Sequence, residues 1–546
     1  MGLKEPARRK LWKAVCSLTI FASVFLTLGL SSEPASAKRS NPQQLQYRTQ
    51  SLSEVFRSVT GWRKVSSRHD FEALLEKAHR KIHQENDVRF EGFYRDESTQ
   101  FEPTQTSNDG SSATIRFAQK YKGIDVVGHD AIVHFDHEGN VQDVSGAALN
   151  AAVDVNPRVS AQDALRIVSD HYQEPVELSE NPALKVFKDF DGRTHLTYHL
   201  LTRTTSEHAG KEVYLNAHNG SIVLEFDRTY DMHAGSSHVE FRTSPEFTTP
   251  KPHERGNILV YTADTEQARK HVDRRGYATS VNINWYDKVI ENGSKLAPVD
   301  VSAINAYRNS SRVYNYFFKK FGRRSFDDED GKVVSVVHVG IKMNNAFWTN
   351  EFKIMGYGDG DGEHFIDLTY SLDAAGHEMT HGITANTAKL VYAGEPGALN
   401  ESYSDFFGRM IDYTDGNWDI GANIMAPKSK SRALRNMLNP EEYKQPGSTD
   451  SKFKVSTKGP CHRANDRCGV HVNSGIPNRA AALIVQSIGK EDTEQLYYNV
   501  LTKRLSAMSG FREAREETEK ECEVLFGKDK PSHCEAVKKA FDTVKM

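Results

Sequence analysis

Residues Asp373 to Asp405 read DAAGHEMTHGITANTAKLVYAGEPGALNESYSD, and the fold follows from how this stretch is read. Within it His377, Glu378 and His381 form an H-E-x-x-H element. On a helix, a four-residue spacing puts both imidazoles on one face, one turn apart. Asp373 is suited to cap the start, and Ala374, Ala375, Met379 and Ile383 suit a buried helix. Gly376 and Gly382 each weaken it by roughly 1 kcal/mol, so burial must supply the remainder. Two histidines alone are a modest signal in a chain with 22 of them. Glu401, twenty positions beyond His381 with nineteen residues between, supplies a third candidate ligand for zinc. Glu401 and Asp405 are again four apart, so on a second helix Asp405 can hydrogen-bond a ligand histidine, with Asn400 as a further outer partner. Three protein ligands leave one position for water, which is the pattern of a catalytic rather than a structural zinc site.

A chain of 546 residues exceeds one ordinary core, and two or three domains are expected. With 38% hydrophobic and 26% charged residues and a net charge of −3, it is globular and makes no case for nucleic acid or a membrane surface as partner. At the N-terminus Lys4, Arg8, Arg9, Lys10 and Lys13 precede an apolar run from Ala14 to Leu30, and Ala35-Ser36-Ala37 offers a small-residue cleavage site. This pattern predicts a secretory signal over 1–37 and an extracellular protein, with no membrane span once it is removed; an uncleaved anchor is the rival reading. Of the five cysteines, Cys16 lies in that segment. The even set Cys461, Cys468, Cys522 and Cys534 fits an oxidising compartment, and proximity favours Cys461 with Cys468 and Cys522 with Cys534 over a zinc cluster, whose C-x-x-C spacing is lacking.

Along the chain, a short helix is expected near Ser53–Val59 and a longer one over Asp70–His83, with Phe71, Leu74, Leu75 and Ala78 inward. The polar stretch Asp96–Ser112 reads as a loop. Strands are expected at Thr114–Phe117, Ala131–Phe135, Leu184–Phe187, His195–Leu201, Glu212–Leu215 and Ser221–Phe226, with a helix over Ala161–Tyr172 capped by Ser160. Tyr230 to Gly256 shifts to Ser, Thr, Pro, Gly and His, the composition of a linker or processing site; an ordered strand opening the next domain is the alternative for its second half. Val301–Phe321 reads as an amphipathic helix with Ile304, Tyr307, Tyr314, Phe317, Phe318 and Phe321 on its inner side. A strand over Val333–Val339 follows, and the Gly356–Gly362 loop reads as a structural turn rather than an EF-hand. Helices close the chain at Arg479–Ile488, Thr493–Arg504 and Phe511–Phe526. Asp466, five residues before His471, marks that histidine as functional beside a zinc triad.

Taken together, the H-E-x-x-H, Glu401 within G-A-L-N-E-S-x-S-D, and G-V-H-x-N-S-G-I around His471 resemble the thermolysin-like neutral metalloproteases. Asn345-Ala346-Phe347-Trp348, the Y-G-D-G-D-G loop and Ala433-Leu434-Arg435 extend the resemblance over Val301 to Met546. The region from Asp70 to Phe226 is similar to the propeptide of these enzymes, most clearly at Arg116–Val126. The resemblance implies an α+β fold: a propeptide over 38–230, a β-rich catalytic lobe over 231–385 ending in the zinc helix, and a helical lobe over 386–546.

It also implies a zinc endopeptidase made as an inactive precursor, acting on polypeptides and held by its own propeptide; a monomer is expected, although the sequence itself carries no signal of oligomeric state. His377, His381 and Glu401 would hold one zinc, with Glu378 as general base. Tyr392 and His471, the latter oriented by Asp466, would stabilise the oxyanion. Arg435, Asn345 and the Ala346 backbone would hold the peptide, and Phe365, Leu368, Ala374, Ile420 and Leu434 would line a pocket for a hydrophobic residue after the cut. Asp373, Asp412, Asn417 and Asp419 fall where the family clusters its calcium ligands, although Ala422 replaces a further acid; one structural calcium is expected. Zinc aminopeptidases share the motif, but with eighteen intervening residues. A zinc module without catalysis would be expected to have lost Glu378, Tyr392 or His471, and all three are present.

Overall fold

The computed structural model describes residues 68–84, 98–108, 112–150, 152–204, 210–232, 240–242, 258–263, 280–282, 286–291, 294–295, 299–413 and 416–546. The N-terminal segment over 1–37, the helix near Ser53–Val59 and most of the stretch from Tyr230 to Gly256 lie outside these residues. No helix among the described residues is long and apolar enough to cross a membrane.

The first part is a nine-stranded sheet. Its strands are β1 (Thr99–Asn108), β2 (Ala113–Tyr121), β3 (Ile124–Phe135), β4 (Val141–Gly146), β5 (Val176–Leu178), β6 (Ala183–Lys188), β7 (Thr194–Thr204), β8 (Lys211–Asn216) and β9 (Ile222–Asp227). Their order is β1-β2-β3-β6-β7-β8-β9, with β4 added on β3 and β5 on β7. Helices α1 (Arg68–Gln84) and α2 (Ala161–Tyr172) accompany it, and Ser160 caps α2 as expected. The expected loop Asp96–Ser112 is instead largely β1, an antiparallel edge strand with a bulge between Pro103 and Gln105. Its polar residues suit a strand at a sheet edge, where Pro is tolerated, while Phe101 and Pro103 face inward. From this edge Gln105 reaches the carbonyl of Asn386 at 3.2 Å.

The second sheet contains β10 (Thr229–Asp231), β12 (Ile258–Ala263), β14 (Tyr286–Glu291), β15 (Ser294–Lys295), β16 (Val333–Val337), β17 (Ala346–Thr349) and β18 (Ile354–Tyr357), while β11 (Glu240–Arg242) and β13 (Ser280–Asn282) pair apart from it. Its order is β10-β17-β18-β16-β12-β14-β15, so residues 229–231 form its edge against β17. Helix α3 (Val301–Phe321) begins at Asp300, whose side chain accepts from Ala303 N, and ends at Gly322 with φ +69°. Its buried stripe is Ser302, Ala303, Ala306, Ser310, Val313 and Phe317. The expected aromatic stripe is thus displaced: Phe318 is 48% exposed, and Phe321 stacks on Tyr498 at 4.0 Å from the flank. Small residues inward let α3 approach the sheet, where Ser310 and Ser335 meet at 2.9 Å.

The remaining chain is mainly helical: α4 (Leu372–Asn386), α5 (Gly394–Ile411), α6 (Asp466–Asn473), α7 (Gly475–Ile488), α8 (Lys490–Asn499), α9 (Phe511–Phe526) and α10 (Pro531–Val544). Sequence reading missed α10 and ran α8 on to Arg504, where five residues are wound as a π-helix. Disulfides join Cys461 to Cys468 and Cys522 to Cys534, as proximity predicts. Helix α4 is buried from Leu372 to Thr384, which explains how it tolerates its glycines. A Cβ on Gly408 would lie 2.5 Å from the Asp373 carbonyl oxygen and 3.1 Å from His377 N, so α4 and α5 cross backbone to backbone. Gly408→Ala is therefore expected to cost about 1–3 kcal/mol in denaturant unfolding and to weaken zinc binding. A variant as stable and as metal-avid as the parent would refute this packing.

Candidate metal centre and cleft

Helices α4 and α5 bring the three candidate ligands to one buried point. The Nε2 atoms of His377 and His381 lie 3.0 Å apart, and the Glu401 oxygens stand 3.5 and 3.4 Å from them. Ligand atoms about 2.0–2.1 Å from a tetrahedral zinc would be separated by roughly 3.3 Å, so the set fits that ion. The outer ring nitrogens are engaged: His377 Nδ1 meets Asp405 Oδ1 at 3.0 Å, and His381 Nδ1 meets Asn400 Oδ1 at 2.8 Å. Donating outward leaves two imidazole lone pairs converging, an arrangement that needs a cation between them. Burial, with His377 adding to it, depresses the pKa of His381 far below the ordinary value and so favours the neutral ligand form. Among the described residues this is the one group of three or more potential metal ligands.

Asp405 is fully buried and ties the site together. Arg435 grips it through Nε and Nη2 at 2.7 and 2.6 Å, and Asn478 adds a bond at 2.8 Å. Burial alone would raise its carboxyl, but Arg435 and His377 outweigh burial and hold it well below the usual carboxylate range. Glu378 is the opposite case. It is fully buried, neither oxygen meets a donor at hydrogen-bonding geometry, and burial and Glu401 push its pKa well up although Arg435 pulls the other way.

Tyr392 donates to Glu401 and lies 3.2 Å from His471 Nε2. Asp466 accepts from His471 Nδ1 at 2.6 Å, and its other oxygen from the backbone N–H of His471 and Val472 at 2.9 and 3.0 Å. Burial opposes a charge on His471, yet Asp466 and Glu401 prevail and lift its pKa to about 9, making it a cationic donor at neutral pH.

Across this cleft lies β10, in the direction an added strand takes, antiparallel to β17. Asp231 O accepts from His471 Nε2 at 2.7 Å and lies 3.5 Å from the Tyr392 hydroxyl. Asn345 Nδ2 donates to the Asp231 carboxylate at 2.8 Å, Met232 N donates to Ala346 O at 3.0 Å, and Arg435 Nη1 donates to Met232 O at 2.6 Å. Met232 is buried in the same apolar cluster as Phe365, Leu368, Ala374 and Ile420, with Leu434 packed against it. His471, Tyr392, Asn345, Ala346 and Arg435 thus all reach one segment of the chain itself, residues 231–232. Sequence reading marks a linker or processing site from Tyr230 onward but does not place residues 229–232 against the metal centre, and it missed Arg467 and Asn478.

The expected calcium ligands do not fit a calcium ion. Asp373 does not cap α4, which starts after Ser371; its carboxylate accepts from Ser371 and from Gly421 N. Arg409, 5% exposed, lies among the acids: it donates to the carbonyls of Asp419, at 2.9 Å, and Asp412, and its nitrogens lie 3.9 Å from the Asp373 carboxylate and 3.6 Å from that of Asp412. Asp419 is taken by Asn436 at 2.6 Å and Arg432 at 3.1 Å, Asn417 accepts from Asp419 N, and Ala422 offers no side-chain oxygen. Calcium needs six to eight oxygens at about 2.3–2.6 Å; here a guanidinium supplies the positive charge. A calcium chelator is expected to leave the thermal midpoint unchanged, while Arg409→Leu costs about 1–3 kcal/mol. A chelator-induced fall restored by calcium would contradict this.

Comparison with known proteins agrees with the geometry. The sequence model described as thermolysin metallopeptidase, catalytic domain, matches residues 202–385, and that of the thermolysin metallopeptidase alpha-helical domain matches 388–546. The fungalysin/thermolysin propeptide motif matches 99–148. Bacillolysin of Bacillus subtilis (strain 168) is 33% identical over 441 residues, covering 77% of this chain and 81% of its own. Neutral protease NprE of Bacillus pumilus is 42% identical over 235 residues, 43% of this chain and 75% of its own. Among solved structures, the precursor of protealysin, a metalloproteinase from Serratia proteamaculans, aligns at 28% identity with a TM-score of 0.44, covering 54% of this chain and 89% of that one.

Proposed function

The chain belongs to the thermolysin family of zinc metallopeptidases and carries the family's propeptide motif, and from this we propose that it is an exported endopeptidase precursor whose first substrate is its own Asp231–Met232 bond. The observation that carries the reading is the seating of residues 229–232: the Asp231 carbonyl on His471 and the Met232 carbonyl on Arg435. The propeptide then runs to Asp231 and the catalytic lobes begin at Met232, one residue later than sequence alone suggests. Before cleavage that strand fills the cleft and inhibits. The basic, apolar and A-x-A succession of 1–37 supports export.

Zinc held by His377, His381 and Glu401 supplies, when bound, a Lewis acid that polarises the carbonyl and acidifies water. Glu378, held by no side-chain donor, takes the proton of the attacking water. As the water oxygen bonds to the carbonyl carbon, His471 and Tyr392 donate to the oxygen that gains charge, and Asp466 keeps His471 charged and aligned. The C–N bond breaks, and Glu378 passes its proton to the leaving nitrogen. Arg435, Asn345 and Ala346 keep the peptide extended through this step. Met232, the residue after that bond, is 1% exposed within the apolar core, which supports a preference for a hydrophobic residue after the cut. N-terminal sequencing of the mature protein made with zinc should give Met232-His233-Ala234; a stable mature form starting before Thr229 would overturn the assignment of the bond.

A further inference from the structure

Beyond that reading, and resting on it, we infer that Arg467 makes the enzyme select an acidic residue immediately before the cut. Arg467 lies on the approach to His471, where Asp466, Arg467, Cys468 and Gly469 all have positive φ, from 49° to 82°, and the Cys461–Cys468 disulfide staples the loop. Three successive non-glycine residues in that conformation are costly, and the surrounding structure must hold them there. The turn aims the guanidinium into the cleft, 5.4 Å from the Tyr392 ring centroid and with its side chain 5% exposed. Among the described residues its ion pairs are with Asp227 and, at 3.9 Å, with Asp231.

Both acids precede the Asp231–Met232 bond and depart with the propeptide. The cleft keeps a buried-edge arginine beside the carbonyl-binding pair, at the position where the side chain before the cut lies. Asn345 Nδ2, 2.8 Å from the Asp231 carboxylate, is a second donor facing the same place. In the precursor Arg467 is shared, because Asp227 holds it closely and leaves it 3.9 Å from Asp231. Once Asp227 has gone, the guanidinium turns wholly to the substrate. A carboxylate there meets a planar charged donor and an amide, whereas a neutral isostere leaves the arginine desolvated and unpaired. Lysine at that position meets like charge. The preferred substrates are peptides with aspartate or glutamate before the cut and a hydrophobic residue after it, of which Asp231-Met232 is the internal example.

The test uses the mature wild-type enzyme, loaded with zinc, and quenched fluorescent peptides identical except for Asp, Asn or Lys ahead of a methionine. The Asp peptide is expected to have a kcat/KM about tenfold or more above the Asn peptide, with Lys lower still. In Arg467→Gln the Asp-to-Asn ratio should fall to about one. Because this variant also loses the Asp227 contact and its maturation can suffer, Asp231→Asn in the precursor provides a second measure: it leaves Arg467 in place and should slow release of the Met232 terminus by a similar factor. Equal rates for Asp and Asn peptides in the wild type, or a ratio that survives Arg467→Gln, overturn the inference. Failure to cut any of the peptides would instead overturn the endopeptidase reading beneath it.

Discussion

Glu378→Gln is expected to lower kcat/KM for peptide hydrolysis by on the order of 10²–10⁴-fold and to leave the precursor uncut at Asp231–Met232. The substitution keeps size and shape but removes the group that accepts and returns the proton. Glu378 is held by no side-chain donor, while His377, His381 and Glu401 remain in place to bind zinc. Zinc content, measured by elemental analysis, should therefore match the parent while turnover collapses. Activity within tenfold of the parent, at equal zinc content, would mean another group moves the proton.

Asp405→Ala is expected to cost about 3–5 kcal/mol of stability and to weaken zinc binding by about 10–100-fold. Asp405 is the shared acceptor of His377, Arg435 and Asn478, all inside the protein. Its loss strands the buried guanidinium of Arg435, which then has Glu401 at 3.9 Å as its remaining carboxylate, and frees His377 to turn. Both effects come from one substitution outside the metal-binding atoms. Denaturant unfolding of the metal-free and zinc-loaded forms separates them: the stability loss appears in both, the affinity loss as a smaller zinc-induced gain. A metal-free variant as stable as the parent would show that Arg435 does not depend on Asp405.

Much of this architecture was legible from residue spacing. The zinc ligands sit on two helices whose periodicity is local, and α2, α3 and α9 have the sequence boundaries expected of them. The illegible parts are those decided by distant contacts. Strand β1 is polar and reads as a loop, because its order comes from backbone pairing with β2 rather than from its own apolar pattern. The inner face of α3 is set by how closely Ser310 and Ala306 let it approach the sheet, so its aromatics lie on the flank. The acids expected to bind calcium are each individually in place; what no spacing rule announces is that Arg409, three residues before Asp412, lies among them. Arg467 was overlooked for a similar reason. A lone arginine next to a histidine motif carries no signal until Asp227 and Asp231, some 240 positions upstream, are brought against it.

The central claim, a zinc-dependent peptidase held closed by its own chain, is tested most directly by casein hydrolysis with the purified mature protein before zinc removal, after it, and after zinc is restored. The account predicts loss of activity on removal and recovery on adding zinc back, with no recovery in Glu378→Gln. Full hydrolysis by the zinc-free protein would contradict it.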